Sequence, residues 1–149
     1  MRLVVQRVKE ASCTVEDKIT GKIDQGFMVL VGIGLDDDKE IVKKMADKFS
    51  KLRVFEDDNN KMNLSLFDVD GSVLSISQFT LYADCKKGNR PSLNNARRGE
   101  EAKELYEYFN ECLEALGIHV EKGVFGADMA IKLWNDGPVT IIMDSKELF

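Results

Sequence analysis

Two hydrophobic periods alternate along the chain. Leu3 to Val8 reads as a strand. Ser12 to Glu16 and Lys22 to Asp24 read as short strands around a turn near Gly21. Phe27 to Ile33 is a continuous apolar run, as expected for a strand covered on both faces. The period then lengthens. Ile41, Val42, Met45, Ala46, Phe49 and Leu52 form one stripe at helical spacing. Asp36-Asp37-Asp38 opens that helix, and Asp37 with Glu40 has the spacing of a capping box. Glu56 to Lys61 is a polar turn, and Ser72 to Ala83 is the next long strand. A second helix is predicted from Gly99 to Leu116. Its buried side is Ala102, Leu105, Tyr106, Phe109, Cys112, Leu113 and Leu116, and Gly117 is its stop. Strands follow around His119 to Lys122, Met129 to Trp134 and Val139 to Met143. Strands outnumber helices and both helices are one-sided. The pattern therefore predicts an α/β domain in which two helices cover one face of a layered sheet.

The chain has 149 residues, a length that fits one domain spanning 1–149. No apolar stretch reaches the ~20 residues needed to span a bilayer. The apolar run at the start is broken by Gln6 and Arg7 and leads to no small-residue cleavage site, so a cytoplasmic protein with no membrane partner is expected. Cys13, Cys85 and Cys112 make an odd count without a C-x-x-C pair, which gives neither a disulfide framework nor a zinc site. His119 is the only histidine, which excludes a multi-histidine metal site within one chain. No metal and no cofactor are expected.

The formal net charge of -5 argues against broad coating of nucleic acid, DNA included, because binding phosphates needs a positive face. Charge is nevertheless uneven. Lys86, Lys87, Arg90, Arg97 and Arg98 crowd one segment opposed only by Asp84. Two readings stand there: a solvated loop, or a grip on one end of an RNA.

Familiar motifs fail on inspection. Gly32-Ile33-Gly34 after a strand lacks the third glycine of a dinucleotide loop, and three aspartates follow where a phosphate needs positive potential. Asp57-Asp58-Asn59-Asn60 lacks the glycine and closing glutamate of a calcium loop. There is no G-x-S-x-G elbow and no Walker loop.

Two segments break local rules. Read as a strand, Leu74 to Tyr82 places Leu74, Ile76, Gln78, Thr80 and Tyr82 on one face, so an amide and a hydroxyl join a row that begins apolar. Such groups need a partner inside the sheet or a ligand. Asn135-Asp136-Gly137-Pro138-Val139-Thr140 sets one of only two prolines between apolar strands, and Asp-Gly is a hairpin signal.

Ser77-Gln78-Phe79-Thr80-Leu81 and Asn135-Asp136-Gly137-Pro138-Val139-Thr140 resemble the two signature motifs of the D-aminoacyl-tRNA deacylase family. Val5-Gln6-Arg7-Val8, Lys61-Met62-Asn63-Leu64-Ser65, Lys87-Gly88-Asn89-Arg90-Pro91-Ser92 and Phe125-Gly126-Ala127-Asp128-Met129 extend the resemblance over essentially the whole chain. Leu93 departs from the family's usual phenylalanine, and Arg97 and Arg98 stand where smaller, less charged residues are usual.

The resemblance implies a three-layer α/β/β fold with mixed sheets and two main helices. It implies a homodimer that hydrolyses D-aminoacyl-tRNA with its active site at the subunit interface. The Gly137-Pro138 peptide is expected to be cis, held by Arg7, and to enter the partner's pocket, where its carbonyls face the α-ammonium of the substrate. Ser77, Gln78, Phe79 and Thr80 are the expected catalytic segment. Arg7, Ala96, Phe125 and Met129 are the expected substrate contacts. The aminoacyl-tRNA acceptor end is the expected partner, with its terminal adenosine beside them.

No general base sits near a nucleophile in this sequence. The substrate itself offers a ribose hydroxyl next to the ester, so positioning and oxyanion stabilisation by backbone amides near Phe79 and Thr80 rank first. Thr80 as nucleophile ranks second. A sister enzyme that removes mischarged L-amino acids and a silent RNA-end-binding module are the alternatives. The intact Ser-Gln-Phe-Thr-Leu pattern argues against the first, and retention of Gln78, Thr80 and the Gly137-Pro138 loop argues against the second.

Overall fold

The computed structural model describes residues 1–149. In chain order the elements are β1 (Arg2–Val15), β2 (Lys18–Ile23), β3 (Gly26–Gly32), α1 (Lys39–Ser50), β4 (Phe55–Glu56), β5 (Met62–Leu64), α2 (Leu66–Val69), β6 (Ser72–Ser77), a 3-10 turn (Phe79–Tyr82), α3 (Gly99–Ala115), β7 (Val120–Lys122), β8 (Ala130–Asp144) and α4 (Ser145–Leu148).

The main sheet is mixed, in the order β2-β1-β3-β6-β7, with β8 paired to β1. β3 and β6 are parallel, as are β6 and β7, while β1 is antiparallel to β2, β3 and β8. Parallel neighbours need a crossover. α1 lies on the connection from β3 to β6, and α3 on that from β6 to β7.

The apolar run in β3 is covered on both faces, as its pattern requires. Phe27, Val29 and Val31 join Val73 and the stripes Val42-Met45-Phe49 of α1 and Leu105-Phe109-Leu113 of α3. The rings of Phe27 and Phe49 lie 5.4 Å apart and those of Phe49 and Phe109 5.8 Å apart. All three are fully buried, each stabilising the fold by on the order of 2–3 kcal/mol. On the other face Met28 packs with Leu74 and Ile76 of β6 and with Val8, Ala11, Cys13 and Ile23, flanked by Ile131 and Leu133 of β8. Helices, central sheet, and the curled half of β1 with β2 and the start of β8 make the three α/β/β layers.

Four local expectations are corrected. First, the strands at Leu3 and Ser12 are one strand. Its turn falls at Glu16 and Asp17, both with positive φ (49° and 63°), the geometry of a tight hairpin. Gly21 instead lies inside β2, where a Cβ would stand 2.8 Å from the Lys122 carbonyl. Second, the cap of α1 is Asp38, whose carboxylate accepts from the Ile41 N–H at 2.9 Å. Asp37 is buried and serves elsewhere, accepting from Gly34 N–H at 2.6 Å and from the Met1 amino group at 2.5 Å. Third, β6 ends at Ser77, so the strand row through Gln78, Thr80 and Tyr82 does not exist. Fourth, Asp136-Gly137 makes no hairpin. β8 stays paired to β1 on both sides of it: Asn135 opposes Val8 and Thr140 opposes Gln6. Four residues bulge out opposite Arg7 alone.

Candidate active site

The end of β6 and the turn after it are shaped by what lies beneath. Gln78 N–H closes the sheet with a 2.8 Å bond to the Val31 carbonyl, and the chain then winds into the 3-10 turn. Gly32 and Gly34 of β3 and its exit make room for that turn. A Cβ on Gly32 would lie 3.0 Å from Leu81 Cβ, and one on Gly34 2.8 Å from the Tyr82 hydroxyl. The Gly-Ile-Gly triplet is thus a seat for the turn, a role that its spacing did not announce.

The turn overhangs a cavity of about 390 Å³. Its walls are Ser77, Gln78 and Phe79 from the strand end, Arg97 and Arg98 just before α3, Gly99, Ala102 and Tyr106 of α3, and Phe125 to Met129 from the segment before β8. The floor is Val31, Ile33, Ile76 and Ile131. An apolar pocket of this size with a few polar groups at one rim suits a small ligand or one nucleotide unit. Phe79 is 43% exposed, with the Arg98 guanidinium 5.1 Å above its ring. Across the cavity the rings of Tyr106 and Phe125 are 5.9 Å apart.

Thr80 stands just outside the lining. Its hydroxyl accepts from Gln78 Nε2 at 2.6 Å, so the two polar groups of the motif satisfy each other. No carboxylate or imidazole bonds that hydroxyl; the chain's one histidine pairs with Glu121 at 3.2 Å, beside β7. The N–H groups of Phe79 and Thr80 are the first of a helical turn and have no partner within it. No cluster of three or more His, Cys, Asp or Glu side chains is placed to hold a metal ion.

The basic segment divides. Arg97 is committed to its own chain, donating to the carbonyls of Gly34 (3.3 Å) and Leu35 and pairing with Glu101 at 3.1 Å. Ala96 is buried and bridges to Gly34, so it supports the floor and does not line the cavity. Arg98 is at the cavity, and Lys86, Lys87 and Arg90 are exposed.

Gly137 and Pro138 lie elsewhere. Neither lines the cavity of its own chain, and both are exposed. Their peptide bond is cis. The bulge that carries them is braced from below by Arg7, 4% exposed. Its guanidinium donates to the carbonyls of Val54 (2.6 Å) and Asp136 (3.2 Å) and faces the carboxylates of Asp136 (3.5 Å) and Glu56 (3.8 Å). Asn135 pins the base of the bulge, donating to the carbonyls of Arg7 and Val139, each at 3.0 Å. Gly137 has φ 128°, and a Cβ there would stand 3.1 Å from Arg7 Nη2.

The family model for D-Tyr-tRNA(Tyr) deacylase matches residues 4–144. The chain is 59% identical to a D-aminoacyl-tRNA deacylase of Bacillus pumilus over 147 residues, covering 99% of this chain and 100% of the relative. The chain belongs to the D-Tyr-tRNA(Tyr) deacylase family. These are hydrolases acting on the aminoacyl-tRNA ester. A second relative, a D-aminoacyl-tRNA deacylase of Fervidobacterium nodosum, is 53% identical over 149 residues, with both chains fully covered. Among solved structures, one named c-Myc DNA unwinding element binding protein superposes with a TM-score of 0.90 at 39% identity, over 97% of this chain and 98% of that one. A probable eukaryotic D-amino acid tRNA deacylase superposes with a TM-score of 0.85 at 17% identity, over 95% and 97%, a likeness of fold. The two segments on which the sequence resemblance rests, Ser77–Leu81 and Asn135–Thr140, are the end of β6 with the cavity's overhanging turn and the Arg7-braced bulge.

Proposed function

We propose that the chain hydrolyses the ester of D-aminoacyl-tRNA to free D-amino acid and tRNA, in the cytoplasm, as a homodimer with composite sites. The observation that carries this reading is the separation of the two motifs. The Gln78–Thr80 turn overhangs a cavity that Gly137 and Pro138 do not line, and the bulge that carries them is exposed. A two-fold dimer gives each cavity the partner's bulge by one reciprocal contact. The exposed apolar residues Trp134 (57%) and Ile142 (74%) on β8, flanking the bulge, support a second copy on that face.

Within such a site the terminal adenosine and the aminoacyl ester occupy the cavity lined by Phe125 and Met129. Lys86, Lys87, Arg90 and Arg98 meet phosphates of the acceptor end. Water attacks the ester carbonyl, the developing oxyanion is met by the free N–H groups of Phe79 and Thr80, and the ribose oxygen leaves with a proton. The neighbouring ribose hydroxyl orients and activates that water, which explains a site without a protein base. The carbonyls of the partner's bulge hold the α-ammonium. A D side chain leaves through the open side, an L side chain strikes the wall, and glycine, having none, is a further substrate.

The test compares D-tyrosyl-, L-tyrosyl- and glycyl-tRNA, and a D-tyrosyl-tRNA whose terminal ribose lacks the second hydroxyl. The D-ester and glycyl ester are expected to be lost and the L-ester kept. The deoxy substrate is expected to react at least 100-fold more slowly, an order of magnitude set by orientation effects. Thr80→Ala is expected to retain activity. A covalent aminoacyl-Thr80 adduct would overturn this mechanism in favour of a side-chain nucleophile.

A further inference from the structure

Three polar side chains sit where the core should be apolar. Ser75 and Asn110 are fully buried, and Tyr106 is 4% exposed. Ser75 Oγ and both amide atoms of Asn110 have no hydrogen-bond partner in the chain. Asn110 lies beside the Tyr106 hydroxyl but in no aligned bond. Unpaired buried polar groups cost about 1–3 kcal/mol each, and apolar residues would pack there without that cost. What the cluster surrounds is one backbone group, the Ser75 carbonyl. It accepts from the Tyr106 hydroxyl at 2.7 Å and from Gly123 N–H at 3.2 Å.

That carbonyl joins all three walls of the cavity. Ser75 precedes Ser77 and Gln78 on β6. Tyr106 comes from α3, whose first turn carries the Gly99 and Ala102 wall. Gly123 opens the segment that runs to Phe125 and Met129. The joint is tight: a Cβ on Gly123 would collide with Met129 Sδ and stand 3.1 Å from Ile76 Cδ1. The Tyr106 ring forms part of the cavity surface, facing Phe125.

We infer that Tyr106 is a positioning residue for the deacylation, its hydroxyl fixing the Ser75 carbonyl so that the strand end aims the Phe79 and Thr80 amides at the reacting ester. The inference rests on the deacylase reading above. Burial raises the Tyr106 pKa, which keeps the hydroxyl protonated and donating. Loss of that one bond leaves the ring in place and lets the strand end shift by a fraction of an ångström. Reactions that depend on orientation lose rate over such distances, whereas binding of the acceptor end is spread over other residues.

The experiment uses the full-length protein and its Tyr106→Phe variant. Single-turnover deacylation of D-tyrosyl-tRNA is expected to slow about tenfold with KM within about twofold. Amide hydrogen exchange at Gln78, whose N–H bonds the Val31 carbonyl, is expected to speed up about tenfold. Leu113→Ala, in the same helix but away from the cavity, is expected to lower Tm and leave kcat alone. A Tyr106→Phe enzyme with wild-type kcat and unchanged exchange overturns the inference. So does an equal kcat loss in Leu113→Ala, which would tie the loss to stability. An inactive wild-type protein would instead sink the deacylase reading, and the exchange result would still decide for or against Tyr106.

Discussion

The cavity and the Gly137-Pro138 bulge are built by opposite means. The cavity is an absence, left where three elements meet, and its walls are secured by apolar packing and one shared carbonyl. The bulge is a projection, four residues long, secured almost wholly by polar bonds from a buried guanidinium and one asparagine. Packing spreads its hold over many individually weak dispersion contacts. A polar brace does not, since losing one partner leaves another stranded. The half proposed to receive the substrate is therefore held by many weak contacts and the half proposed to judge chirality by a few strong ones. That division suits a filter which accepts many side chains and rejects one hand.

The largest expected effect tests whether the halves meet across subunits. Gly137→Ala crowds the bulge against Arg7, and Ala127→Trp fills the cavity, so each variant alone is expected to be inactive. Mixed and allowed to exchange subunits, they are expected to recover about a quarter of wild-type activity, because half the dimers are hybrids with one intact site of two. Continued inactivity, measured on D-tyrosyl-tRNA, would mean that both motifs serve one chain.

Next is the stiffness of the bulge. Arg7→Leu is expected to lower stability by about 3 kcal/mol, since it strands the carbonyls and carboxylates around it, and to weaken the D-over-L preference in what remains folded. Denaturant titration paired with rates on both esters checks this. A stable variant that keeps its chiral preference would show that the bulge holds itself.

The smallest effect concerns the cavity's approach. Replacing both Lys86 and Lys87 with alanine is expected to flatten the salt dependence of tRNA binding by about one unit for each lysine, with chirality preference intact. Unchanged affinity at low salt would leave these lysines as a solvated loop.

Period and composition carried the layers but not the joints. Phe27 to Ile33 and the stripes of α1 and α3 are long, repeated signals, and the core follows them except at the end of α3, where Cys112 is half-buried and Leu116 is exposed. The bulge was legible only as a rule broken: Asp136-Gly137 has hairpin chemistry, and only the pairing of Asn135 with Val8 and Thr140 with Gln6 reveals that the chain does not turn back. Gln78 and Thr80 were misplaced because strand alternation was extended past Ser77, where the seat made by Gly32 and Gly34 bends the chain. A tertiary cause of that kind has no local signature. Ser75, Tyr106 and Asn110 were silent for a related reason. Tyr106 fits the helical stripe as well as any apolar residue, and its hydroxyl matters only once Ser75 is beside it.

β1, the earliest strand, pairs along nearly its whole length with β8, the latest. On a ribosome this orders events in time. Arg7 is made long before Asp136, its eventual partner, so the brace cannot close until β8 has emerged, and β1 must meanwhile hold with β2 and β3 alone. Such distant pairing slows folding and leaves a sheet edge open during synthesis. It also means that no partly made chain carries the braced Gly137-Pro138 bulge. If the bulge sorts chirality as proposed, a nascent protein of this fold could not begin sorting D- from L-aminoacyl-tRNA at the very machine that is consuming them.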